Sequence, residues 1–339
     1  MVFFLQLLKI MSTQNLTQKK LVNLDRIRVE PFLAFGNEKK IFVKGRVISS
    51  YKRKRPSSRK SWLKNIIATI KRYSVTSIPD ALVEIHFHQH RFEVTTDEDG
   101  VFEKQIEVEN PSPKSIEHVN FKVLSPVAKK NSTWVSKEVN RYNEPVGVIS
   151  DIDDTVLISH STQLGKKLWL SISKNAYTRR PLPGVSKFYH ELTHRGEVPI
   201  FYVSSSDWSL YDLIRDFLRY RNIPIGPTLL KDKHINLKNV WKSGGGSHDH
   251  KLEKIRNIFS IYPKMKFFLI GDSGQHDPEI YAKIIQEFPS RVKAVFIRLV
   301  GELESDRKEK LAKIIALDNF FFIESSEEAI ELAKKNHFI

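Results

Sequence analysis

The chain has 339 residues, 55 Lys and Arg against 39 Asp and Glu, a formal charge of +16 and no cysteine. That length predicts about two domains, and 40% apolar with 28% charged residues describe a globular chain, neither disordered nor fibrous. Disulfides, thiolate metal sites such as zinc fingers and a cysteine nucleophile are excluded, and no apolar run approaches the roughly 18 residues of a membrane-spanning helix.

The positive excess favours an anionic partner: nucleic acid, a phosphorylated ligand or an acidic membrane surface. At the N-terminus, MVFFLQLLKI lacks the cationic start, the longer apolar stretch and the small-residue cleavage site of a signal peptide. Residues 1–21 are read as a tail, Met11 is a second candidate start, and the expected location is the cytoplasm. From Tyr51 to Pro79 there are nine basic residues and no acidic one. Within that stretch, Trp62, Ile66 and Ile70 recur at helical spacing, so a helix over 61–73 would carry one apolar face flanked by Lys64, Lys71 and Arg72. Such a helix suits the interface of an anionic membrane, or packs its apolar face on the neighbouring domain.

Around the basic stretch, alternating or β-branched runs predict strands over 40–49, 80–87, 91–95, 101–108 and 118–124, with a turn at 96–100. Short strands at this spacing predict a small antiparallel β-sandwich over residues 22–140, with the basic segment at about 51–79 as an insertion. His86, His88 and His90 alternate along one such run. An exposed polar face is their default reading, ahead of a metal site.

The pattern changes near Asn143. Continuous apolar runs at 147–150, 198–204, 266–271, 292–299 and 320–324 suit strands buried on both faces of a parallel sheet. Helical patterns at 185–195, 208–221, 250–262, 278–288 and 326–336 alternate with them. Residues 143–339 are therefore expected to form a doubly wound α/β domain.

In such sheets ligands bind beyond the carboxyl ends of the strands. The first run ends in Ser150-Asp151-Ile152-Asp153-Asp154-Thr155. Carboxylates crowded there repel one another unless a cation or a reaction needs them; an acidic loop capping the next helix is the plainer alternative. The second run ends in Ser204-Ser205-Ser206-Asp207-Trp208, where a hydroxyl before a helix N-terminus can hold a phosphate oxygen or simply cap the helix. A third ends in Gly271-Asp272-Ser273-Gly274-Gln275-His276-Asp277, whose two carboxylates suit Mg²⁺. Lys251, at a helix start, can neutralise phosphoryl charge, with Lys254 one turn on as its rival. Gly244–Gly246 lacks the Gly-Lys-Ser/Thr that would follow in a nucleotide loop.

Taken in order, an acidic pair, a hydroxyl, a lysine and a second acidic pair resemble the haloacid dehalogenase superfamily of aspartyl-phosphate phosphotransferases. SDIDDT, YVSSS, HDHKLEKI and GDSGQHDPEIY resemble more closely the actin patch protein-type phosphatidate phosphatase family, over about residues 143–325. Asp207 stands where members of that family often carry Pro.

The resemblance implies a haloacid dehalogenase-like catalytic domain. It makes Asp151 the nucleophile and Asp153 the general acid and then base, with Ser204 and Lys251 completing the catalytic set. Thr155 and Ser205 would support substrate binding. Mg²⁺ would be held by Asp151, Asp153, Asp272 and Asp277. It also implies that the insert over 154–184 is a small cap suited to an amphiphilic phosphate; a packed helical hairpin would explain its apolar residues equally.

The leading expectation is thus a Mg²⁺-dependent phosphatidate phosphatase acting on phosphatidate or a related lipid phosphate. It would be cytoplasmic and peripheral at an anionic membrane surface. The alternatives are a phosphatase of a soluble phosphomonoester and a non-catalytic lipid-phosphate-binding module. Nucleic acid is disfavoured, because the basic stretch holds few aromatics for base stacking.

Overall fold

The computed structural model describes residues 27–49, 76–108, 116–127, 133–152, 155–156, 182–231, 249–301, 307 and 319–339. The expected N-terminal tail, the basic helix over 61–73, Asp153, nearly all of the 154–184 insert and Gly244–Gly246 lie outside the described residues.

Two mainly antiparallel sheets come first. One contains β1 (Ile27–Gly36), β2 (Lys40–Ser49), β3 (Thr76–Ser77), β6 (Val101–Glu107) and β9 (Asn140–Arg141), in the order β3-β2-β1-β9 with β6 also on β2. The other runs β5 (His90–Thr95), β4 (Leu82–Phe87), β7 (His118–Ser125), β8 (Val135–Glu138). Period-two burial explains their facing: in β7, Val119, Phe121 and Val123 are buried while Asn120 and Lys122 between them are not. Val29, Val43 and Phe102 of the first sheet share a core with Val83, Ile85 and Phe121 of the second, and the Phe102 and Phe121 rings lie 5.7 Å apart.

Two expectations change here. β1 lies outside the expected strands and contains Pro31, a residue that cannot donate to a strand ladder. The strand absorbs it at a register shift between Pro31 and Leu33. The three histidines do not share a strand face. His88 takes a left-handed φ of 53° in the β4–β5 turn. His86 Nε2 lies 2.5 Å from Glu84 Oε1, whereas His88 Nε2 lies 2.8 Å from Glu117 Oε1.

The second unit is a six-stranded parallel sheet of β10 (Val146–Ser150), β11 (Ile200–Asp207), β12 (Thr228–Lys231), β13 (Lys266–Asp272), β14 (Val292–Arg298) and β15 (Phe320–Ile323). Its order is β12-β11-β10-β13-β14-β15, so the chain direction across the sheet reverses between β10 and β13. Helices α1 (Val185–Leu192), α2 (Tyr211–Tyr220), α3 (Asp249–Ile261), α4 (Asp277–Glu287) and α5 (Ser326–Lys335) connect or follow the strands. α1 packs with α5, and α3 with α4. Helix α1 stops three residues before its expected end, since His194 and Arg195 take left-handed φ of 46° and 59°.

The two units share apolar packing. Phe32, Leu33 and Phe35 of β1 and Phe42 of β2 join the core of the parallel sheet. The Phe32 ring stacks on Trp208 at 4.8 Å, Phe35 lies 5.7 Å from Phe201, and the Tyr211 hydroxyl donates to the Phe32 carbonyl at 2.6 Å.

Candidate active site

Where the strand order reverses, two neighbouring strands send their following loops in opposite directions and leave a crevice at their carboxyl ends. Asp151 stands at that point. Its backbone N–H donates to the Ile270 carbonyl at 2.9 Å, extending the β10–β13 ladder by one step, and its side chain is 1% exposed. Asp272 closes β13 and is fully buried. Asp277 opens α4 and is equally buried.

Gly271 makes this approach feasible. A Cβ there would lie 2.6 Å from Asp277 Oδ2, so the carboxylate rests against bare backbone. The Asp272 N–H donates to the same Oδ2 at 3.2 Å.

Lys251, from the first turn of α3, reaches into this group. Its ammonium lies 2.9 Å from Asp151 Oδ1 and donates to Asp277 Oδ1 at 2.6 Å and to Gln275 Oε1 at 3.3 Å. Burial alone would discharge this lysine. The carboxylates of Asp151 and Asp277 outweigh burial and hold its pKa above the usual lysine range. Lys254, one turn on, is half-buried.

Gln275 ties the remaining oxygens together. Its side-chain amide donates to Asp151 Oδ2 at 3.2 Å and to Asp272 Oδ2 at 3.1 Å, and its backbone N–H donates to Asp272 Oδ1 at 3.0 Å. Oxygens of Asp151, Asp272 and Asp277 all lie within 4.8 Å of one another, which makes these three a candidate cation site among the described residues.

The other expected residues take separate places. Ser204 is buried on β11, two residues beyond the Ser150–Tyr202 pairing, and its Oγ accepts the Ser206 N–H at 2.9 Å. Ser205 is half-buried on the same strand. Thr155 is 4% exposed, and its Oγ1 has no hydrogen-bond partner among the described residues. Asp153 is not described.

Two contributors were not singled out from sequence. Tyr189 donates to Ser150 Oγ at 2.6 Å, and Ser150 in turn donates to the Asp151 carbonyl at 2.7 Å, so a buried relay braces the strand end. Burial raises the Tyr189 phenol pKa and keeps it a neutral donor. Nothing in its neighbours along the chain marked it. Gln275 lay inside a stretch read only for its carboxylates.

Residues 146–299 match the family described as "Phosphatidate phosphatase APP1, catalytic domain". Over 176 residues the chain is 31% identical to phosphatidate phosphatase APP1 of Saccharomyces cerevisiae, covering 52% of this chain and 29% of the yeast protein. Over 155 residues it is 28% identical to an uncharacterized protein of Schizosaccharomyces pombe, covering 45% and 25%. The chain thus spans less than a third of the length of these curated relatives. A carbohydrate acetylesterase structure from Xanthomonas citri aligns with 86% of this chain and 68% of its own at 13% identity, with a TM-score of 0.31, too low to bear on fold or chemistry.

Proposed function

We propose, from the match of residues 146–299 to the phosphatidate phosphatase APP1 catalytic-domain family, that this chain hydrolyses a lipid phosphomonoester of the phosphatidate type. In this reading residues 143–339 are a doubly wound, haloacid dehalogenase-like catalytic domain, and residues 22–140 are a β-sandwich docked on it. The observation that carries the proposal is the buried set of Asp151, Lys251, Asp272 and Asp277 gathered at the sheet's reversal point.

An Asp151 carboxylate oxygen attacks phosphorus. The ester P–O bond breaks, and the departing diacylglycerol oxygen takes a proton from Asp153. Asp153 then accepts a proton from water, whose oxygen attacks the aspartyl-phosphate and returns Asp151 as a carboxylate with release of inorganic phosphate. Lys251, held charged by its neighbours, meets the charge on the transferring oxygens. Ser204, Ser205 and the Thr155 hydroxyl, which has no hydrogen-bond partner among the described residues, provide donors for the phosphoryl group and its loop.

Asp151, Asp272 and Asp277, with Asp153, are the residues to hold Mg²⁺: three buried carboxylates around one ammonium are a hard-oxygen set with excess negative charge. Bound there, Mg²⁺ would supply positive charge that offsets the repulsion between an anionic nucleophile and an anionic phosphate. A phosphatidate substrate would bring the protein to an anionic membrane from the cytoplasm as a peripheral protein. No helix among the described residues is long and apolar enough to cross a membrane.

The test is phosphate release from phosphatidate, lysophosphatidate and soluble monoesters, with chelator and with added Mg²⁺. Phosphatidate turnover that needs Mg²⁺ and disappears in Asp151→Asn is the expected result. Turnover confined to soluble esters would assign a different substrate, and an active Asp151→Asn would remove the covalent mechanism.

A further inference from the structure

We infer that Gln275 is the positioning residue that aligns the Asp151 carboxylate with Asp272, so that one nucleophilic and one cation-binding group face the same point before substrate or cation arrives. The inference rests on the reading of Asp151 and Asp272 just given. It assigns a role to a neutral side chain that the acid–base and charge arguments pass over.

The geometry is specific. A single side-chain amide nitrogen spans the two carboxylates, at 3.2 Å from Asp151 Oδ2 and 3.1 Å from Asp272 Oδ2. Its carbonyl end, Oε1, accepts from the Lys251 ammonium at 3.3 Å. Lys251 pairs with the other Asp151 oxygen, Oδ1, at 2.9 Å. Asp151 is therefore gripped through both oxygens, one by Lys251 and one by Gln275, and rotation about its last torsion would break one of the two contacts.

Gln275 is itself anchored. Its N–H donates to Asp272 Oδ1 at 3.0 Å, and the Arg307 guanidinium hydrogen-bonds its carbonyl oxygen. Only a side chain with two N–H donors and an acceptor at one end can serve two anions and a cation together. Glutamate would set a third anion against Asp151 and Asp272. Asparagine is one methylene shorter and cannot span both from the same backbone position.

Residues that orient the ligands of a cation without binding it typically change affinity or activity by about 10–100-fold when removed. Gln275→Leu, which keeps volume and loses every polar contact, should therefore weaken Mg²⁺ binding to the substrate-free protein by about 10–100-fold in calorimetric titration. It should also lower kcat by a similar factor while leaving KM nearly unmoved, because the loss is in alignment. Thermal unfolding without divalent cation should fall below wild type, since buried oxygens of Asp151 and Asp272 each lose a donor, and should recover in part with Mg²⁺.

Wild-type Mg²⁺ affinity in Gln275→Leu would overturn the inference. If Gln275→Leu is unstable, Gln275→Asn replaces it: reduced Mg²⁺ affinity in that variant supports the alignment role, and wild-type affinity overturns it. The Mg²⁺ titration needs no substrate, so a wild-type protein that binds Mg²⁺ but turns over no phosphomonoester would sink the phosphatase reading and leave the Gln275 comparison decisive.

Discussion

Lys251 is 3% exposed and stands between two carboxylates. Withdrawing it leaves Asp151 and Asp277 buried and facing each other, and removing one partner of such a pair costs about 3–5 kcal/mol. Lys251→Met is expected to lose that much in urea unfolding without divalent cation, and to regain part of it with Mg²⁺. The pH dependence follows from the direction of its shift. The folded pKa lies above the ordinary value of 10.5, so the linked stabilisation is fully present below that value. It is lost only as pH rises through the higher folded value. The difference between wild type and Lys251→Met should thus stay level from about pH 7 to about pH 10. A gap closing by about pH 9 would show that the lysine sheds its proton in the fold.

The next-to-last residue of strand β13, Gly271, is a glycine for a spatial reason. A methyl at residue 271 would meet Asp277 Oδ2 at 2.6 Å and Asp277 Cβ at 2.7 Å, in a strand with no room to retreat. Overpacking of this sort costs about 1–3 kcal/mol. Gly271→Ala should lower the unfolding midpoint accordingly and weaken Mg²⁺-supported turnover, because the first residue of α4 is pushed from its place. Normal stability and normal turnover together would show that Asp277 is not held against the strand. A different accommodation appears in β1, where Pro31 interrupts the run and the register shifts beside it. The strand then resumes and delivers Leu33 and Phe35 to the core of the parallel sheet.

Across the whole molecule, the antiparallel sheets and the parallel sheet are joined through aromatic packing. Phe32, 2% exposed and stacked on Trp208, is part of that joint. Phe32→Ala should cost about 3–5 kcal/mol in chemical denaturation. A loss below about 1 kcal/mol would show that the joint is loosely packed. The basic stretch outside the described residues bears on the same scale. If the stretch meets a membrane as proposed, replacing Lys52, Arg53, Lys54 and Arg55 by Ser should reduce binding to anionic vesicles, since each cation near such a surface is worth about 1 kcal/mol, while turnover of a short-chain soluble ester persists. Vesicle binding unchanged by these substitutions, or unresponsive to salt, would assign the stretch to structure.

Alternating or β-branched runs marked β2 and β7, unbroken apolar runs marked β10 and β13, and 3.6-residue periodicity marked α2 and α3, because each pattern is written in near neighbours along the chain. The carboxylates were legible too: Asp151, Asp272 and Asp277 follow strand signals closely, and carboxylates crowded at a strand end are costly without a purpose. The sequence alone also singled out Lys251, with Lys254 one turn away; burial against Asp151 and Asp277 distinguishes the first. Strand order is a different kind of information. That β10 lies beside β13 depends on which apolar faces pack best among distant segments, and only this adjacency brings Gln275 within hydrogen-bonding distance of Asp151, 124 residues earlier in the chain. The roles of Gln275 and Tyr189 come from neutral donors meeting anions or a strand end across space, and a neutral side chain leaves no charge pattern in the sequence. The shared core around Phe32 was likewise decided by tertiary structure, since an apolar run records that a strand is buried but not against what.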